Sequence, residues 1–331
     1  MKYLIENITR LTPREDLIHF LANFENEKYG EDYWRRRLKF WWDENPCRSG
    51  DLPCGWVARQ EGSVVGFLAG IAFDYVYRGQ VYPALDASTW RVDANHRNIS
   101  LPMFMKWHQL RDDHIILDTT PKPKVAKILD QFKYEAQRVL HYHFFPMRQA
   151  GGIRGLALGL LSRCLAQRAL PQQPLKLVSL KDNFVIRDGW MRFDRLEKLV
   201  SREYLDWYCS WPVKEFLGCV NENNELTSYV IVEPDLYGKY SVLGVIDYFT
   251  KRPDNGEILA LLRHLLLKPE MLSFKGNFSF LMLKTFEADF FRQKPLGSFC
   301  RQNPGKHHYW LPKHLKGVPK RYVAAEGDYG C

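Results

Sequence analysis

Along KYLIENIT, apolar and polar positions alternate with a period of two, which predicts an opening strand. The period changes at Thr12–Pro13. Thr12 suits a helix N-cap, Pro13 the first helical position and Glu15 the early negative charge, and the apolar stripe is Leu17, Phe20, Leu21 and Phe24. A second helix is predicted from Asp32 to Trp42, crowded with aromatics and with Arg35, Arg36 and Arg37, and stopped by Pro46. A meander follows. GWVARQ and VVGFLAGIAF are strand-like runs joined by an EGS turn, and a second turn at Arg78–Gln80 leads into the strand VYPALDASTWRV. After the polar loop DANHRN comes a helical run, ISLPMFMKWHQL, which Ser100 can cap. HIILDTT reads as a buried strand, Pro123 to Phe132 as a helix and YEAQRVLHYHFF as a closing strand.

A Gly-containing helical stretch ending in PQQP separates this half from the next. The order then repeats. LKLVSL predicts a strand, FDRLEKLVSREYLDWYCSW a helix, EFLGCVNENNELTSYVIVE a hairpin turning at Asn223–Asn224, and YGKYSVLGVIDYFT a third strand. EILALLRHLLL is helical, NFSFLMLKT a strand, DFFRQ part of a helix and HHYWLPK the last strand. The two halves share element order rather than identity, which predicts one architecture used twice: residues 1–150 as the first lobe, 151–173 as a linker helix and 174–331 as the second. A meander followed by crossover helices makes a mixed, largely antiparallel sheet flanked by helices, so the fold class is α+β. There is no GxGxxG or Walker motif where a doubly wound nucleotide-binding fold would need one.

Composition narrows the classes. The 331 residues are 46% apolar and 14% aromatic, as a packed protein requires. The apolar run of MKYLIENITRLTPRED is too short for a signal peptide, and no window of about eighteen residues is uninterrupted by charge. Seven scattered cysteines form no zinc-type cluster and read as reduced thiols, so a cytoplasmic, metal-free protein is expected. Lys and Arg (47) outnumber Asp and Glu (38), for a net charge of +9, which suits an anionic ligand.

The informative stretch is LDASTWRVDANHRNISL, residues 85 to 101. A strand ends at Val92 and a helix starts near Ser100, a junction whose backbone N–H groups converge on one spot and favour phosphate. Its order of elements resembles the acetyl-CoA-binding core of the GNAT superfamily of N-acyltransferases. There the third meander strand ends in an apolar residue, and a Gln/Arg-x-x-Gly-x-Gly/Ala loop follows, whose amides hold the CoA pyrophosphate. Here Val92 precedes Arg97-Asn98-Ile99-Ser100-Leu101-Pro102, with Ser100 and Pro102 at the glycine positions and Pro102 offering no N–H. Two such halves, with the loop in the first alone, resemble the bilobal acyltransferases, among them acyltransferases of nucleotide-linked amino sugars, Fem-type peptidyl transferases and N-myristoyltransferases.

The resemblance implies acyl-CoA as cofactor, held by Trp90, Arg91, Val92, Arg97, Asn98, Ile99, Ser100, Leu101 and Thr119, with strand amides around Trp90 to Val92 polarising the thioester carbonyl. In histone-acetylating relatives a carboxylate six positions before the terminal apolar residue is the general base; here that is Asp86, which alternation places on one face with Ser88 and Trp90. The leaving thiolate has no convincing proton donor: Tyr134 lies past the helix where relatives carry a Tyr.

For the acceptor the expectation is an amino sugar on a nucleotide. Aromatic and basic residues such as those of YWRRRLKFWW stack a base and bind a diphosphate, and two diphosphate ligands account for the charge without nucleic acid. Trp34, Ser88, Asp247 and Tyr248 are the expected acceptor contacts, the last two because the second lobe lacks the loop and would shape the acceptor site. His96 reads as a solvated loop residue, His141 and His143 as sheet-surface residues, and His307 and His308, being adjacent, point to opposite faces. Two alternatives stand beside this reading: a Fem-type transferase using aminoacyl-tRNA, and a non-catalytic acyl-CoA- or nucleic-acid-binding protein.

Overall fold

The computed structural model describes residues 2–47, 52–147, 175–187, 194–251, 255–274, 276–286 and 299–320. The predicted linker helix at 151–173 and the short DFFRQ helix lie outside the described residues. The chain divides into two compact units. The first contains 1–136, 193–199 and 306–320, and the second 137–192, 200–305 and 321–331.

In the first unit, β1 (Leu4–Ile8), β2 (Gly55–Gln60), β3 (Ser63–Tyr77) and β4 (Gln80–Val92) form an antiparallel meander. β5 (Ile115–Asp118) joins β4 in parallel. The outer edge of β5 is paired antiparallel by the end of β13 (Phe299–Trp310), with His308 opposite Asp118 and Trp310 opposite Ile116. In the second unit, β9 (Glu215–Val220), β10 (Leu226–Tyr237) and β11 (Tyr240–Thr250) form the equivalent meander, with β7 (Lys176–Val178) on β9. β12 (Phe280–Thr285) is parallel to β11, and β6 (Glu135–Pro146) pairs antiparallel with β12.

The twofold use of one architecture is therefore real, with one correction. Each half does not close its own sheet: the strand ending the first half completes the second unit, and the strand ending the second half completes the first. That exchange adds 306–320 to the first unit, and the pairing of Glu197 and Lys198 with β3 adds 193–199.

Helix α1 (Glu15–Ala22) starts later than its sequence suggests, because Thr12 is used in a turn, its Oγ1 accepting from the Thr9 amide at 2.9 Å. α2 (Glu31–Leu38) runs on into a π-helical turn at Lys39–Asp43. These elements cover one face of the first sheet, where Trp42 Nε1 donates to Gly70 O at 3.1 Å and the Trp42 ring meets Phe67. α3 (Ser100–His108) and α4 (Pro123–Gln131) cover the other, burying Trp56, Leu68, Leu85, Phe104, Trp107 and Leu129 in one core. Gly66 permits this approach: a Cβ there would lie 2.9 Å from Met103 Sδ and 3.1 Å from Ile99 Cδ1.

The second unit's core forms under α6 (Gly256–Leu267), around Leu243, Val245, Leu261 and Leu283. The long helix predicted from Phe193 is shorter. α5 covers Arg202–Ser210 alone, capped by Ser201, whose Oγ accepts from the Tyr204 amide at 3.1 Å. Before it, Glu197–Lys198 form a short strand, β8, on β3, since the stretch belongs to the first unit's sheet rather than to a helix.

Candidate active site

β4 leaves its neighbours in two ways. Against β5 it is paired from Ala84 to Asp86, and because β5 ends at Asp118, Ala87–Val92 have no ladder partner on that side. Against β3 the register slips: Phe67 opposes Arg91 and Ala69 opposes Ser88, so Thr89 and Trp90 face the single residue Leu68. This is a β-bulge, and Thr89 takes a left-handed φ of +45° within it. A bulge leaves part of the ladder unmade, which turns backbone groups toward the opening between β4 and the chain beyond β5.

Asp86 sits at the apex of that opening. Its side chain is 1% exposed, and one carboxylate oxygen accepts from Thr119 Oγ1 at 3.2 Å. Thr119, itself buried, follows β5 directly. Asp86 pairs with Ile71, which puts the carboxylate on the sheet face covered by α1 and α2. Ser88 is half-buried on β4, its Oγ 3.5 Å from Thr89 Oγ1.

The loop after β4 is a 3-10 turn from Ala94 to Ile99, held by Asp93, whose carboxylate accepts from the Asn95 amide at 2.8 Å. Ile99 is buried and anchors the turn, Arg97 and Asn98 are exposed, and Ser100 and Leu101 open α3. Asn98 is oriented by Tyr3, whose hydroxyl donates to its Oδ1 at 3.2 Å. An open cleft of about 570 Å³ lies beside this loop, and Asp16, Glu25 and Asp93 line it. Those carboxylates disfavour a diphosphate on that side; Arg97 and the α3 amides remain the anion-favouring side.

Several expected ligand contacts prove to be internal. The Trp90 ring stacks on Phe104 at 6.0 Å, inside the core beneath α3. Val92 is buried opposite Gly66. The Arg91 guanidinium pairs with Glu27 and lies over Trp34 at 4.9 Å, and Trp34 is 4% exposed. At Trp90, Arg91 and Val92 it is therefore the backbone, not the side chain, that remains available to a cofactor.

Asp247 and Tyr248 belong to the second unit. Asp247 is buried and accepts from the Tyr229 hydroxyl at 3.3 Å; Tyr248 lies in that unit's core with its hydroxyl 2.6 Å from Thr285 Oγ1.

Sequence reasoning passed over two buried ionisable groups. Asp118, on the α3 and α4 side of β5, has its carboxyl raised to about 7 by burial. His108 is pushed down to about 4, chiefly by burial, and its Nδ1 is 2.8 Å from the Tyr134 hydroxyl. Tyr134 is thus a core residue, its own hydroxyl held protonated by burial. The signal for both was their setting in apolar runs, IILD for Asp118 and MFMKWH for His108. Among the described residues no group of His, Cys, Asp and Glu is placed to hold a metal, and no helix is long and apolar enough to cross a membrane.

Solved structures share this arrangement. A protein from Enterococcus faecalis named a probable N-acyltransferase superposes with a TM-score of 0.58 at 9% identity, covering 93% of this chain and 72% of its own. A GCN5-related N-acetyltransferase from Anabaena variabilis gives 0.57 at 11% identity, with 93% and 72% covered. Another from Kribbella flavida gives 0.57 at 11%, with 93% and 70% covered. The fold is that of a tandem GNAT-like protein. No protein-family model matches the chain, and no curated protein matches it in sequence.

Proposed function

We propose that this chain is an acyl-CoA-dependent N-acyltransferase whose first unit takes the cofactor, and that its acceptor is the amine of a nucleotide-linked amino sugar. The observation that carries the reading is the end of the β4–β5 pairing at Asp86, with a bulge at Thr89 beyond it and an anion-favouring helix start after it. Pantetheine would lie along the unpaired edge of Ala87–Val92, its amide groups bonding to the freed backbone. The pyrophosphate would meet Arg97, Asn98 and the amides of Ile99, Ser100 and Leu101. A backbone N–H near Trp90 would hold the thioester carbonyl as it becomes an oxyanion. The names borne by the similar structures, N-acyltransferase and N-acetyltransferase, agree with this chemistry.

The reaction needs a deprotonated amine close to the thioester carbon. Asp86 is the base of this proposal: it stands at the apex of the opening, and Thr119 holds its carboxylate in a fixed orientation. The free thiolate is a tolerable leaving group and takes its proton from water, which fits a site where Tyr134 is committed to His108. Purified protein is incubated with a panel of acyl-CoAs and amino-sugar nucleotides while thiol release is followed. Release with at least one pair, lost in Asp86→Asn, is the expected result. No release above background with any amino-sugar nucleotide, but release with another amine, would replace the acceptor and keep the transferase.

A further inference from the structure

β13 brings a second titratable side chain into line with Asp86. His308 is opposite Asp118 and Tyr309 opposite Leu117, so Tyr309 shares the sheet face of Leu117. Asp86, paired with Leu117 in the parallel ladder, is on that same face, and so is Thr119, whose hydroxyl reaches it. His307, two residues from Tyr309 along the strand, points the same way. Continuing the register by one residue sets His307 directly across from Thr119, with strands about 4.8 Å apart. Asp86 on β4, Thr119 just past the end of β5 and His307 on β13 thus lie on one face, and all three side chains are buried.

Resting on the acyl-transfer reading above, we infer that His307 takes up, through the Thr119 hydroxyl, the proton that Asp86 removes from the acceptor amine. The amine nitrogen bonds to the thioester carbonyl carbon while its proton moves to an Asp86 oxygen. Asp86 passes a proton to Thr119 Oγ1 as the Thr119 hydroxyl proton moves to the imidazole, which restores the carboxylate and leaves an imidazolium. The C–S bond breaks with its electron pair on sulfur, water protonates the thiolate, and the imidazolium returns its proton to solvent as products leave.

The surroundings suit an imidazole that starts neutral. Burial, the ammonium of Lys320 and the neighbouring His308 all hold His307 below the ordinary histidine range. Lys320 reaches this face from the segment after β13, its Nζ 4.9 Å from the Tyr75 ring centroid and 5.9 Å from that of Tyr309. On the imidazole's own face are Lys320, the two phenols and, through Thr119, Asp86, whose carboxylate opposes the charge formed in the step. His308 itself turns to the other face, with Nε2 3.4 Å from Asp130 Oδ1.

The test follows thiol release from pH 5 to 9 in wild type, H307N and T119V, with acyl-CoA binding read separately as thermal stabilisation. Both variants are expected to lose at least about tenfold in kcat, to keep the KM for acyl-CoA within about twofold, and to displace the acid limb of the kcat/KM profile. Added imidazole is expected to restore part of the activity of H307G. T119V keeps the side-chain volume, so it carries the test if H307N fails to melt cooperatively. An H307N protein whose kcat and pH profile match wild type overturns the role of His307. Wild type that is stabilised by acyl-CoA yet releases no thiol with any amine is a separate failure, of the transferase reading itself.

Discussion

The Arg91 guanidinium lies 4.9 Å from the centre of the Trp34 ring and pairs with Glu27, whose side chain is 4% exposed. Two residues that sequence reasoning gave to different ligands thus bind each other. Arg91→Ala removes the cation from the ring and leaves the Glu27 carboxylate buried without its guanidinium. The expected cost is about 2–4 kcal/mol of unfolding free energy, measured in urea. Acyl-CoA affinity should stay within about twofold, because only the Arg91 backbone faces the opening. Arg91→Lys should recover little, since an ammonium does not stack as a planar guanidinium does.

Thr89 holds a left-handed φ of +45° inside the bulge. A β-branched residue there costs about 1–2 kcal/mol relative to a relaxed backbone, whereas glycine adopts that region freely but loses more entropy on folding. Thr89→Gly should be as stable as the wild type or up to about 1 kcal/mol more so. A loss of stability in thermal melts would mean that side-chain contacts of Thr89 outweigh the strain.

Asp118 predicts a particular pH dependence. Its carboxyl is raised from 3.8 to about 7 in the folded protein, so between those values the native state binds a proton that the unfolded chain releases. Stability contributed at this site is unaffected below pH 4, falls as pH rises from about 4 to 7, and is flat above. Asp74, raised to about 6 by burial, acts with the same sign over a narrower window. Asp118→Asn should flatten the fall, by ~2–4 kcal/mol across the window, as followed by urea unfolding at stepped pH.

Pro102 stands third in α3, among the amides that would meet a pyrophosphate. Pro102→Ala adds one N–H donor to that turn. One further hydrogen bond to a charged group is worth about 1–2 kcal/mol, so CoA should bind about fivefold to thirtyfold tighter by calorimetry. Unchanged affinity would place the phosphates elsewhere.

The meander was legible because β2 and β3 are apolar runs of strand length, buried on both faces, and because EGS and RGQ after them are turn sequences with a mechanism. Asp86 was legible as a position: its spacing from Val92 is a property of one strand. The closing strands were not, since β6 and β13 carry nothing that distinguishes the edge of β5 from that of β12; partner choice is settled over more than a hundred residues of separation. The same distance hid His307, which lines up with Asp86 only once β13 is seated beside β5. Trp34 and Arg91 were misread for a more local reason: an aromatic and a cation look alike in sequence whether they await a ligand or each other.

The exchanged closing strands bear on how the polypeptide acquires its structure. While it is being synthesised, β1 to β5 can pair as soon as they emerge, but the outer edge of β5 has no partner until Lys306–Trp310 have been made. An open edge next to Asp118 and Leu117 is a template for pairing with another chain. Early domains of a multidomain protein commonly finish folding on the ribosome; this first unit must wait for the last strand, and its assembly is governed by the slowest and most distant contact it makes.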